Sequence, residues 1–204
     1  MKKIILVIVY SLLFNYCQAQ NNKTNPEHKK IKSTIVGFLK WYKGNEAKSI
    51  ANAYDTIIKH RSIIVWEDLD SLIRPNIDMI AVQGYLDWLK SSNHVSDSFL
   101  NALDNYHQKI ADEVKTYKSF PKSTGIFSIP GLNLDVIFGF EPEETLEYID
   151  KGVFTKIRVV GYHALVQFDI PNHEHRIFFL SKTNNKWLID RIEFNHEYYD
   201  LLMK

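Results

Sequence analysis

Cysteine is almost absent from this sequence. Its 204 residues include one cysteine, Cys17. Beyond that position no disulfide can form and no thiol can act as a nucleophile. The sequence also has no Gly-x-Ser-x-Gly elbow and no glycine-rich phosphate loop. These absences exclude disulfide scaffolds and the commonest signatures of thiol enzymes, hydrolases and nucleotide-binding proteins, and they leave stability to a packed core.

An excess of charge of either sign is also missing. The formal net charge is +1, and without Lys2 and Lys3 it falls to −1. The basic residues are not clustered along the chain, so the sequence does not predict the positively charged surface that nucleic-acid-binding proteins use. After the first residues, no apolar run is long enough to cross a membrane. We therefore expect no nucleic-acid partner and no integral membrane segment.

The first 19 residues have the three parts of a secretory signal peptide. Lys2 and Lys3 provide the positive start, and residues 4–14 form an apolar run shorter than the roughly 20 residues that span a bilayer. Cys17 and Ala19 place small residues at the −3 and −1 positions of a cleavage site. We expect residues 1–19 to be removed, and the protein to be exported to the periplasm or secreted.

Cys17 raises the alternative of a lipid anchor. A lipoprotein signal places a small residue before its lipidated cysteine, whereas Tyr16 is bulky. This bulk argues against lipidation, so we predict a free protein that begins at Gln20. Residues 20–25 are polar and predict a flexible leader.

Helical patterns dominate the first half of the chain. Asn25 and Pro26 resemble an N-cap followed by a first helical residue, and Gly44 predicts the end of that helix. Residues 45–75 are mixed, with a strand-like segment at residues 62–66. A second helix is predicted from near Pro75, and a third after Ser96, which is a suitable N-cap.

The last third changes to a strand pattern. Apolar and polar residues alternate over residues 164–170, and further strands are predicted at 176–181 and 187–194. Residues 183–186 contain Asn184 and Asn185, which tolerate the positive φ of a tight hairpin. Helices followed by consecutive antiparallel strands predict one α+β domain over residues 26–204, with its helices on one face of the sheet.

Three segments together carry a family resemblance. They are residues 38–42, residues 85–100 and residues 186–192. The chain resembles small exported bacterial proteins, common in the Bacteroidetes, whose domain has no assigned function and whose fold is similar to the nuclear-transport-factor-2-like cone. The resemblance implies a curved sheet wrapped around helices, with a pocket at the open end. It implies no activity, because this shape is shared by enzymes and non-enzymes.

Asp135 stands out within an apolar run. If it faces the implied pocket, burial raises its pKa and lets it act as a base. The alternative is that Asp135 caps a loop and that the aromatic residues belong to the core, and that alternative is the one we favour. The candidate pocket residues are Trp41, Tyr42, Tyr85, Asp135, Tyr162 and His163.

His173 and His175 form a His-x-His pattern. On a strand the two side chains point to one face, where zinc or copper could bind with His163 or Asp169 as a third ligand. A bare pair next to Pro171 is more typical of a solvated hairpin tip. We therefore expect no metal and no other cofactor, and we assign no catalytic residue.

Three functions stay open at this point. The first is a non-enzymatic binding module of the cell envelope that takes a small ligand or a protein partner in the pocket. The second is a small enzyme with a buried carboxylate base. The third is an inhibitor or immunity-type domain that binds an envelope protein. The absence of a catalytic motif favours the first.

Overall fold

A computed structural model describes residues 25–54, 62–124, 129–132, 135–138, 146–171 and 174–194. The predicted signal peptide, most of the leader and His173 lie outside these residues. Within them the chain is an α+β protein with three helices and two antiparallel sheets. The helices precede the larger sheet in the chain, as predicted.

The first helix, α1, spans Pro26–Tyr54. Asn25 begins it, since its Oδ1 accepts a hydrogen bond from the Glu27 N–H at 3.0 Å. The prediction that Gly44 ends this helix is wrong. A glycine inside a helix costs only about 1 kcal/mol, and the residues that follow it continue the helical backbone. The buried stripe of α1 consists of Ile31, Ile35, Phe38, Leu39 and Tyr42.

A small sheet follows the first helix. Strand β1 spans Ile64–Leu69 and β2 spans Leu72–Ile77, and the short strand β3, Phe120–Pro121, pairs with the start of β2. The strand-like segment was predicted correctly, but Pro75 lies in β2 and does not start a helix. Because β3 pairs only with Leu72 and Ile73, the missing N–H of Pro75 leaves no gap in that ladder.

Two capped helices connect the sheets. Helix α2 spans Met79–Ser91 and starts at Asp78, whose Oδ1 accepts from the Ile80 N–H at 2.9 Å. Helix α3 spans Asp97–Val114, and its predicted cap is confirmed: the Ser96 Oγ accepts from the Phe99 N–H at 3.2 Å.

The larger sheet is a four-stranded meander of β4 (Val153–Val160), β5 (His163–Ile170), β6 (Glu174–Thr183) and β7 (Lys186–Phe194), in that order. Asn184 and Asn185 adopt the predicted positive φ, 50° and 63°. The alternation in β5 is confirmed, with one face buried against the core. Short 3-10 helices occur at Lys122–Thr124 and Ile149–Lys151.

Strand β7 joins the helices to this sheet. The Ile189 N–H donates to the His94 carbonyl at 2.8 Å, and the Ser96 N–H donates to the Ile189 carbonyl at 2.9 Å. Trp187 and Ile189 are buried, while Ile192 is partly buried against the same core. The link between α2 and α3 is therefore held directly by the last strand.

Candidate functional site

Three elements bring most of the predicted pocket residues together. Trp41 and Tyr42 come from α1, Tyr85 and Trp88 from α2, and Asp135 from the turn at residues 135–138. We call these five residues the Asp135 cluster. The next elements in contact are Phe138, from the same turn, and Arg176, from β6.

The Asp135 carboxylate accepts hydrogen bonds on both oxygens. Its Oδ1 accepts from the backbone N–H groups of Ile137 and Phe138 at 2.8 Å and 2.7 Å. Its Oδ2 accepts from the phenol of Tyr42. A carboxylate bonded to its own turn in this way fixes the turn, and the Tyr42 bond attaches that turn to α1.

Aromatic rings surround this carboxylate. The Tyr42 ring lies 4.9 Å from Phe138 and 5.5 Å from Trp88 between centroids, in edge-to-face contacts. Trp88 also lies 4.7 Å from Trp41 and 5.8 Å from Tyr85. Tyr42 is 1% exposed, whereas Trp41, Tyr85 and Trp88 are half-buried. The cluster is closely packed on its inner side and presents aromatic surface on its outer side.

Burial controls the protonation of the three polar groups. It raises the pKa of Asp135, against the opposing effects of the Tyr42 phenol, the two backbone N–H groups and the charge of Arg176. It also raises the pKa of Tyr42 and Tyr85 well above their usual value, and the nearby Asp135 charge adds to both shifts. Both phenols therefore stay protonated, and each can donate a hydrogen bond.

Arg176 was missed by the sequence reasoning. Its side chain is 2% exposed, it donates from Nη2 to the Phe138 carbonyl, and its guanidinium lies 5.5 Å from the Phe138 ring centroid. A signal for it exists in the sequence. Arg176, Phe178 and Leu180 are spaced two residues apart, so on a strand their side chains share one face. The pattern therefore places a charged residue on the buried face.

The structure does not bring Tyr162 and His163 to this cluster. Tyr162 lies in the turn between β4 and β5 and is 72% exposed, and His163 is exposed at the start of β5. His163 pairs with Ser181, whereas Arg176 pairs with Phe168. His163 and Phe168 are five residues apart along β5, which corresponds to about 17 Å. Tyr162 and His163 therefore lie at the opposite end of the sheet from Arg176, the strand residue that lies next to the Asp135 turn.

Of the His-x-His candidates, the structure describes His175, at the start of β6. His175 Nδ1 lies 3.0 Å from Asp169 Oδ1, and the amide of Gln167 donates to both oxygens of that carboxylate at 3.2 Å. No group of three metal-ligating side chains occurs among the described residues. His173 lies outside them.

Comparison with protein-family models, with curated proteins and with solved structures found no match. No helix among the described residues is both long enough and apolar enough to cross a membrane. Function is therefore argued from the geometry of the cluster.

Proposed function

We propose that this chain is an exported, non-enzymatic binding module that takes a small apolar ligand against the outer side of the Asp135 cluster. The observation that carries the proposal is the half-buried aromatic surface of Trp41, Tyr85 and Trp88 beside a fully hydrogen-bonded carboxylate. Binding sites for small ligands are commonly apolar surfaces with a few polar groups that fix orientation.

The polar groups suit recognition of one polar atom on an otherwise apolar ligand. Tyr85 stays protonated because burial and the Asp135 charge raise its pKa. The Tyr85 hydroxyl hydrogen-bonds to Tyr42, whose own hydrogen goes to Asp135, and a ligand carbonyl or hydroxyl oxygen that replaces Tyr42 as its partner would receive this one hydrogen bond. The rings supply the apolar contact area, and the donor supplies orientation.

An enzyme with Asp135 as its base is the second candidate. The raised pKa of Asp135 favours it, because a general base works best with a pKa close to the working pH. The geometry opposes it. Three of the roughly four acceptor positions of the carboxylate are already occupied, by Tyr42, Ile137 and Phe138, and each of these bonds weakens its affinity for a further proton.

The proposal includes the cone architecture and export. Helices on one face of an antiparallel meander support a nuclear-transport-factor-2-like cone, together with the resemblance in residues 38–42, 85–100 and 186–192. Export is supported by the signal pattern in residues 1–19. An exported protein would find its ligand, or an envelope protein partner, outside the cytoplasm.

The test is a titration with a neutral fluorescent apolar probe, N-phenyl-1-naphthylamine. We expect saturable binding, detected by energy transfer from tryptophan. Trp88→Leu should weaken binding on the order of tenfold, because a lost aromatic contact of this size contributes about 1 kcal/mol or more.

Trp66→Leu is the matched control. Trp66 is 39% exposed on β1, outside the cluster, so its replacement should leave the probe affinity unchanged. Equal weakening in both variants, or binding that does not saturate, would contradict the proposal. Thermal unfolding of both variants shows whether the fold is retained.

A further inference from the structure

A second recess lies between the start of α1 and the turn that joins β6 to β7. It is open to solvent and has a volume of about 370 Å³, within the range of roughly 300–1,000 Å³ that is common for small-ligand sites. The Thr34 hydroxyl donates to the Trp187 carbonyl at 3.2 Å and ties the two walls together. We call this recess the lysine cleft, and it is lined mainly by Lys29, Lys30, Ser33, Asn185, Lys186 and Trp187.

Positive charge is in excess at the lysine cleft. Glu27 is the neighbouring carboxylate, and it accepts from Lys182 at 2.7 Å, from the Trp187 indole at 2.8 Å and from Lys30 at 3.3 Å. These contacts, with Lys182 first, lower the pKa of Glu27 to about 2. Lys29, Lys30 and Lys186 line the cleft and Lys182 contacts Glu27 beside it, so these four lysines and one carboxylate carry a net charge of +3.

The excess charge acts on its surroundings. Lys29 and Lys186 are exposed on opposite walls of the cleft. In the segment between α2 and α3, the pKa of His94 is lowered, first by burial and then by the charge of Lys186. The field of Lys186 therefore reaches a second element of the fold.

The neutral groups of the cleft are hydrogen-bond donors. Asn185 Oδ1 accepts from Lys30 Nζ at 3.5 Å, which leaves the amide nitrogen of Asn185 to donate. Ser33 supplies a hydroxyl from the α1 wall. Ammonium, amide and hydroxyl donors around one recess are the groups that bind phosphate oxygens.

We propose that the lysine cleft binds a phosphate group, carried by a soluble ligand or by the headgroup of an acidic phospholipid. This site is separate from the Asp135 cluster, and the lysine cleft does not depend on the function proposed for that cluster. The ligand's phosphate lies between Lys29 and Lys186, and its organic part occupies the remaining volume next to Trp187.

The test uses two probes on the purified protein at about 0.15 M salt, where contacts beyond roughly 8 Å are screened. One is inorganic pyrophosphate, followed by the NMR signals of the Asn185 side-chain amide and the Trp187 indole N–H. The other is co-sedimentation with vesicles of phosphatidylglycerol and phosphatidylcholine. We expect saturable signal shifts with pyrophosphate if the ligand is soluble, and vesicle binding without them if it is a headgroup.

The double variant Lys29→Gln with Lys186→Gln should weaken binding at least tenfold while leaving the melting temperature nearly unchanged, since both side chains are exposed. Lys109→Gln with Lys118→Gln removes the same charge from exposed positions outside the cleft and should have no effect. The proposal is overturned if neither probe binds, or if both double variants lose binding equally, which would indicate attraction to overall charge alone.

Discussion

At Asp135, burial and hydrogen bonding act in opposite directions on one carboxylate. Burial raises its pKa, while the Tyr42 phenol and the backbone N–H groups of Phe138 and Ile137 lower it, and burial has the larger effect. The sequence indicated this residue through its place in an apolar run. It could not indicate Tyr42 as the partner, which lies 93 positions away.

This balance predicts a pH dependence of stability. With a folded-state pKa above the ordinary value of 3.8, the contribution of Asp135 is fully present below that value and is lost as the pH rises through the raised pKa. Asp135→Asn has no such loss. Its free energy of unfolding, relative to the unmodified protein, should therefore rise by about 1.4 kcal/mol per unit of pKa shift between pH 3.5 and 7.

Urea unfolding at the two pH values, followed by tryptophan fluorescence, measures the difference. Asp150→Asn is the control, because the Asp150 side chain is 85% exposed. A relative stability of the Asp135 variant that falls with pH would show that hydrogen bonding outweighs burial.

At the scale of elements, local patterns predicted type and order better than boundaries. The caps at Asn25 and Ser96 and the alternation in β5 were read correctly, since each depends on neighbours in sequence. Gly44 and Pro75 were misread. A single glycine costs a helix too little to end it, so α1 continues through Gly44. Pro75 is tolerated in β2 because β3 does not pair with that part of the strand.

Replacing glycine by alanine should have opposite effects on stability at two positions, Gly152 and Gly44. A Cβ on Gly152 would lie 2.0 Å from the Phe168 ring, which is 2% exposed. Gly152→Ala should therefore lower the free energy of unfolding by about 1–3 kcal/mol through overpacking. Gly44 lies within α1 with no atom within 4 Å of an added Cβ, so Gly44→Ala should raise it by about 0.5–1 kcal/mol.

Chemical denaturation of the two variants checks this pair directly. Because both changes add the same methyl group, the difference between them isolates the contact with Phe168 and the helical position of Gly44. Two variants of equal stability would show that the turn before β4 moves to accommodate the methyl group.

At the scale of the whole molecule, we predict that the protein is exported from the cytoplasm. Cys17 and Ala19 fit the −3 and −1 positions of a cleavage site, so the mature chain should begin at Gln20. Mass spectrometry of the protein recovered from a bacterial envelope fraction should show that terminus. A lipidated Cys17, or an intact Met1, would refute free export.

The sequence by itself determined the class of the fold. Periods of 3.6 and 2 residues, caps and a tight Asn-Asn turn depend on contacts a few positions apart, so helices followed by an antiparallel meander could be read without coordinates. Only the tertiary structure decided the sites. Tyr42 contacts Asp135 across 93 positions of the chain, and Glu27 contacts Trp187 across 160. No local pattern predicts such pairs, because the packing of several elements around one core decides which side chains come together.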